Sequence, residues 1–195
     1  LPLFDVPAAD APEAVGIHPT AIVEKGAELG RGVQIGPYTV VSPKAVIGDH
    51  VRLGSHVTVQ GRTTIGARTV VHQFATLGVP PQDLKYQGED AALEIGEENS
   101  LRQYVNISIG SAGGGGRTVI GRRNLFMVYC HVAHDCVVGD NILFANNATL
   151  GGHVVIGDHA VLGGLVAVHQ FCRVGTRAMV GGGSMVVQDA PPYTL

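Results

Sequence analysis

Residues 17–77 read IHPTAIVEKGAELGRGVQIGPYTVVSPKAVIGDHVRLGSHVTVQGRTTIGARTVVHQFATL, and every sixth residue of the stretch is aliphatic. The positions are Ile17, Val23, Leu29, Ile35, Val41, Ile47, Leu53, Val59, Ile65, Val71 and Leu77. With 45% of the chain apolar, eleven successive hits arise by chance with a probability of roughly 10⁻⁴. The beat resumes in the same phase at Ile95, Leu101 and Ile107. After a slip of one it runs on through Ile120, Phe126, Val132, Val138, Phe144, Leu150, Ile156, Leu162, Val168, Val174, Val180 and Val186. A period of six matches neither the 3.6 of a helix nor, alone, the 2 of a strand. It matches a hexapeptide solenoid, in which short strands separated by turns each send one residue to a central axis. The expected fold is all-β, a parallel β-helix. Three hexads per turn make an 18-residue coil of triangular section, with coils stacked at roughly 4.8 Å.

Composition agrees with a coil that turns a corner every few residues. There are 28 glycines among 195 residues, 15% of the chain is charged, and tryptophan is absent. Glycine accepts the positive φ that corners often need, so glycines are expected at the corners. The net charge of −3, without any Lys/Arg-rich stripe, argues against nucleic acid or anionic membrane as partner. No apolar run is long enough for a transmembrane segment, and no secretory signal opens the sequence. Residues 1–15, rich in Ala and Pro and ahead of the beat, read as a flexible leader, and 16–195 as the β-helix. Cys130, Cys136 and Cys172 each fall four residues after a beat position, in company with Ala148, Ala160 and Ala178. They read as buried free thiols at a second inward site, in a reducing, cytoplasmic compartment.

Two segments interrupt the coil. One lies near 80–93 and carries the polar residues Asp83 and Lys85; the other lies near 111–117, where the phase slips. Loops that leave a regular solenoid often carry function. Stacking arithmetic gathers a site, because positions one full coil apart lie above one another. His134 leads to Gly152 and Gln170, Asp135 to His153, and His169 back to Gly151. His131, His134, Asp135, Gly152, His153, His169 and Gln170 thus collect on three adjacent coils, mostly along one edge. An imidazole beside a carboxylate on a glycine-lined edge is general-base chemistry. His18, His50, His56 and His159 read as solvated corner residues, and His72 is left unassigned.

These residues also carry a resemblance. HVAHDC (131–136), FANNATLGGHV (144–154), AVHQF (167–171), QDLKYQG (82–88) and VVQDAPPY (186–193) closely resemble the bacterial UDP-N-acetylglucosamine 3-O-acyltransferases, and residues 17–30 look like that family's first coil. The resemblance implies a left-handed β-helix and a homotrimer with active sites between prisms. The implied reaction moves a 3-hydroxyacyl group from acyl carrier protein to the 3-hydroxyl of UDP-N-acetylglucosamine, the first acylation of lipid A biosynthesis. Residue by residue, it implies His134 as base, Asp135 as its carboxylate, and Gly152 as the backbone N–H donor to the thioester oxygen. Asp83, Lys85, His131, His153, His169 and Gln170 match substrate-contacting positions, and Gly182 matches the residue that measures acyl length. No metal or cofactor is implied beyond the acyl-phosphopantetheine of the donor.

The chain departs from the family at Ser108 and Ile109, where a His-Arg pair is common, and it stops at Leu195, where the family continues into a helical C-terminal domain. In the expected trimer, His134 sits near a neighbour's 80–93 loop. Competing readings are the sibling N-acyltransferase, a trimeric scaffold or truncated homologue without full activity, and a zinc-dependent γ-type carbonic anhydrase. The last needs three convergent imidazoles for its catalytic zinc.

Overall fold

In a computed structural model of the chain, residues 16–195 are described; the expected leader at 1–15 lies outside them. Most strands are two residues long and recur every six positions. Each pairs in parallel with the third strand after it, as in Ile22↔Val40 and Val23↔Val41. They form one nine-stranded and two eight-stranded parallel sheets. Consecutive strands enter the three sheets in rotation, so the chain winds a three-sided prism.

The core follows from the beat. From Ile35 to Val180 every beat residue is at most 8% exposed. Two positions before each beat lies a second inward layer, including Ala45, Val51, Val57, Ala148 and Ala178. Cys130, Cys136 and Cys172 belong to it and are free thiols. Burial pushes the Cys130 and Cys136 thiols up to about 12. Burying a Val, Ile or Leu side chain contributes roughly 1.5–3 kcal/mol, so axial ladders of such residues can replace the wide core of a globular domain.

Few glycines do what composition suggests. At most corners the residue three after the beat has the left-handed conformation, and Gly26, Gly32 and Gly183 take that place as expected, yet eighteen described residues with positive φ are not glycine, among them Tyr38, Asp135, His153 and Phe171. Glycine sits instead one step after the beat, where coils come into backbone contact. A Cβ on Gly66 would lie 2.4 Å from the Gly96 carbonyl carbon, and one on Gly151 would lie 2.8 Å from the Gln170 nitrogen. Close approach, not φ, selects glycine there.

Both excursions leave from the same edge of the prism, in consecutive coils. They run between the strands Thr76–Val79 and Ala92–Ile95, and between Asn106–Ser108 and Arg117–Ile120. This corrects the expected limits: Ala92, Leu93 and Arg117 are in strands, and Leu93 is fully buried. The register measures what each inserts. Beside the regular pairing Ile22↔Val40, the pairing Thr76↔Asn106 is longer by two hexads, and Asn106↔His131 by one hexad and a single further position. Whole hexads preserve the phase, so the first excursion leaves the beat in step. The extra position of the second produces the slip of one.

The three edges differ in chemistry. The edge that follows the second sheet carries ion pairs between stacked corners: Arg31–Asp49 at 3.0 Å, Arg68–Glu97 at 2.7 Å and Arg122–Asp140 at 3.0 Å. Exposed pairs of this kind contribute about 0–1 kcal/mol each and mark a solvated edge. The edge that follows the third sheet carries a ladder of rings, Tyr38, His56, Phe74, Tyr104 and Tyr129, with successive centroids 4.7–5.1 Å apart. The remaining edge carries both excursions and His134.

Candidate active site

His134 and Asp135 occupy the corner between the strands His131–Val132 and Val137–Val138. Asp135 is the left-handed corner residue, with φ 60°, a conformation that short polar side chains tolerate best after glycine. Its N–H donates to Thr118 Oγ1 at 2.9 Å, and Thr118 is itself a fully buried inward residue. The Asp135 side chain is wholly enclosed. Its Oδ1 accepts the Ser111 N–H at 2.8 Å, and its Oδ2 accepts the Ser111 hydroxyl at 2.6 Å and His134 Nδ1 at 2.8 Å. An ionised carboxylate only accepts, so His134 carries its proton on Nδ1 and leaves the Nε2 lone pair free.

One coil on, Gly152 and His153 hold the equivalent corner, and His153 N–H donates to the His134 carbonyl at 3.0 Å. A Cβ on Gly152 would come within 2.7 Å of His134 Cε1, so only glycine lets the imidazole lie against this backbone. The Gly152 N–H has no protein acceptor among the described residues. At equivalent corners of the ion-pair edge, an aspartate one coil on takes that N–H: Asp49 from Arg31, Asp140 from Arg122, Asp158 from Asp140. On this edge the residue one coil after Gly152 is the exposed Gln170, and the donor stays open.

The His153 ring meets His134 edge-on at 5.1 Å and lies flat on Phe171 at 4.5 Å. Beside it opens a cavity of about 690 Å³, lined by Asp83, Lys85, Tyr86, Ser111, His153 and Phe171 among others. The chain's own first excursion therefore borders the site. That excursion is held by Glu89, whose carboxylate accepts the Gln87 N–H at 2.8 Å and, across to the second excursion, the Ala112 N–H at 3.2 Å. Backbone N–H donors, first its own and then those of Gln87 and Ala112, hold the Glu89 carboxyl below the ordinary carboxylate range.

His169 and Gln170 lie exposed on the same edge. His131 does not; it faces outward from the first sheet, with Nδ1 2.8 Å from Asn106 Oδ1, and burial pushes its pKa down, so it stands neutral. Gly182 is on the aromatic edge, and one chain does not bring it together with His134. His134, Asp135 and His153 place one ligand atom each within 4.8 Å of one another, the donor types of a metal centre. The Asp135 oxygens, however, already accept Ser111 and His134. Ser111, Thr118, Phe171 and Glu89 escaped the sequence reading. Phe171 stacks one coil after His153 and was within reach of the stacking arithmetic. Thr118, two before the beat residue Ile120, was within reach as well, whereas Ser111 and Glu89 hang on excursions that the beat does not index.

The chain matches the family model described as bacterial transferase hexapeptide (six repeats) over residues 44–78 and 117–152. It is 52% identical over 179 residues to the acyl-(acyl-carrier-protein)-UDP-N-acetylglucosamine O-acyltransferase of Aliarcobacter butzleri, covering 92% of this chain and 69% of that protein. The protein of the same name from Thiobacillus denitrificans is 49% identical over the same shares. Among solved structures, LpxA from Acinetobacter baumannii aligns with a TM-score of 0.90 at 46% identity, over 91% of this chain and 69% of that one. The UDP-N-acetylglucosamine acyltransferase of Campylobacter jejuni aligns at 0.88 and 44%, over 90% and 69%.

Proposed function

The chain belongs to the UDP-N-acetylglucosamine O-acyltransferases of lipid A biosynthesis, and we propose that it performs their acyl transfer with His134 as general base and the Gly152 N–H as oxyanion donor. Its fold is the left-handed parallel β-helix. The observation that carries the assignment of roles is the buried Asp135 bonded to His134 Nδ1 beside the Gly152 N–H, which has no acceptor among the described residues.

A sugar hydroxyl is a poor nucleophile at neutral pH, so a base must take its proton as it attacks. His134 Nε2 accepts that proton from the sugar 3-hydroxyl, and the oxygen bonds to the thioester carbon of the 3-hydroxyacyl donor. The carbonyl oxygen gains negative charge, and the Gly152 N–H stabilises it. When the C–S bond breaks, the imidazolium returns its proton to the departing thiolate of the carrier's phosphopantetheine. Ester and thiol are the products, and the balance of atoms and electrons calls for no further reactant. Asp83, Lys85, His153 and Gln170 position the nucleotide sugar and donor, and neutral His131 contributes from the adjoining face, with His169 at the rim.

The acting form is a homotrimer in the cytoplasm, with acyl carrier protein as the donor's bearer. The chemistry of the edges supports a trimer: one is a solvated ion-pair edge, while the aromatic edge leaves Tyr38 60% and Tyr129 54% exposed. The described residues contain no helix long and apolar enough to cross a membrane.

The test is transfer of a radiolabelled 3-hydroxyacyl group from carrier protein to UDP-N-acetylglucosamine by the purified chain, with and without exhaustive chelation. Turnover that survives chelation is expected. Turnover lost on chelation and restored by zinc would reassign His134, Asp135 and His153 as metal ligands.

A further inference from the structure

The second excursion does more than interrupt the coil. Its first residues bring Ser111 against Asp135 so that one residue supplies two donors: the backbone N–H to Oδ1 and the hydroxyl to Oδ2. Oδ2 is the same oxygen that accepts His134 Nδ1. Gly114 closes over the carboxylate so tightly that a Cβ there would fall 2.0 Å from Asp135 Cγ. The next residue after the serine, Ala112, donates its N–H to Glu89 on the first excursion. A carboxylate sealed from water, as this one is, can turn about its Cβ–Cγ bond unless its partners forbid it. Two donors from one residue, aimed at different oxygens, forbid it.

We propose that Ser111 is a positioning residue, which locks the Asp135 carboxylate so that one oxygen stays on His134 Nδ1 and the imidazole keeps Nε2 on the sugar hydroxyl. This rests on His134 being the base. The hydroxyl is the informative half of the contact, because Ser111→Ala retains the backbone N–H to Oδ1 and with it the docking of the loop. Ser111→Thr retains the hydroxyl as well.

The experiment compares wild type, Ser111→Ala, Ser111→Thr and His134→Ala in steady-state transfer, thermal melting and proton NMR of the imidazole N–H region. A hydrogen bond to a charged group is worth enough to change a rate about ten- to hundredfold. Ser111→Ala is expected to lower kcat by that factor with KM nearly unchanged, and Ser111→Thr to restore most of it. The downfield Nδ1 proton of His134, identified by its loss in His134→Ala, should broaden or shift in Ser111→Ala and return in Ser111→Thr. A kcat within twofold of wild type for Ser111→Ala, with the Nδ1 proton unmoved, overturns the proposal. So does a rate that falls only in step with the melting midpoint and is not restored by threonine. If His134→Ala itself keeps its activity, the base assignment fails instead, and the two failures are thereby told apart.

Discussion

At the scale of single residues, the site is an ordinary corner of the prism with three replacements. Where other corners hold an aspartate that takes the N–H of the preceding coil, this edge holds Gln170, and the Gly152 donor stays open. Where other corners carry solvated side chains, Asp135 is enclosed. Where a Cβ would be tolerated, Gly152 makes room for an imidazole. His134→Ala is expected to lower transfer by about 10²–10⁴-fold, with a melting midpoint close to wild type, since Asp135 keeps both Ser111 donors. Activity and melting measured on the same preparation check this. A loss below fivefold would mean that another group takes the proton.

At the scale of elements, short strands are held by close backbone approach between coils, and the excursions are held by side chains. Gly66→Ala should therefore destabilise by about 1–3 kcal/mol, because its Cβ meets the Gly96–Glu97 backbone and neither side can yield cheaply. Gly181→Ala, whose Cβ would meet nothing nearer than Ser184 Oγ at 3.8 Å, is the melting control and should stay near wild type. The first excursion depends on Glu89, which is held below the ordinary carboxylate range by backbone donors. A depressed carboxyl contributes order that is present above its unfolded pKa and is lost as pH falls through the folded one. The loop should stay clipped at neutral pH and through the usual carboxylate range, and loosen only in more acid solution. Glu89→Gln should loosen it at pH 7. Hydrogen exchange at Gln87 and Ala112 reads both effects, and the variant's KM for the nucleotide sugar should rise more than its kcat falls. Exchange that is insensitive to both changes would show that the loop is held by something else.

At the scale of the whole molecule, the proposed trimer uses one edge for chemistry, one for solvent and one for contact. The aromatic ladder should lie against a neighbouring prism, so sedimentation at micromolar concentration is expected to give a trimer. Tyr104→Glu combined with Tyr129→Glu should shift it towards monomer. A wild-type monomer would sink the shared-site model altogether. Gly182 sits on the aromatic edge, so in the proposed trimer it would reach a catalytic groove only across the interface. Each buried methylene of an acyl chain contributes about 0.8 kcal/mol, and a side chain at Gly182 would close the groove's end. Gly182→Met is expected to favour shorter donors by about tenfold or more over a few carbons. Rates for long and short donors that fall together would identify the glycine as a turn alone; a Cβ there already stands 3.2 Å from the Gly164 carbonyl oxygen.

The period of six determined the prism by itself, because a solenoid repeats one local contact and each beat residue has to reach the axis. Stacking coil on coil likewise brought His134, Gly152 and Gln170 onto one edge, together with Asp135 and His153. What the tertiary structure alone decided lies where that translation fails. Ser111 and Glu89 belong to the two excursions, which have no register of their own and take their place from hydrogen bonds to Asp135 and Ala112. Composition also misplaces the glycines, since corner φ is a local property and the collision of a Cβ with the next coil is not. Gly182 is recognisable by motif, yet the edge it occupies follows from counting faces around a closed triangle.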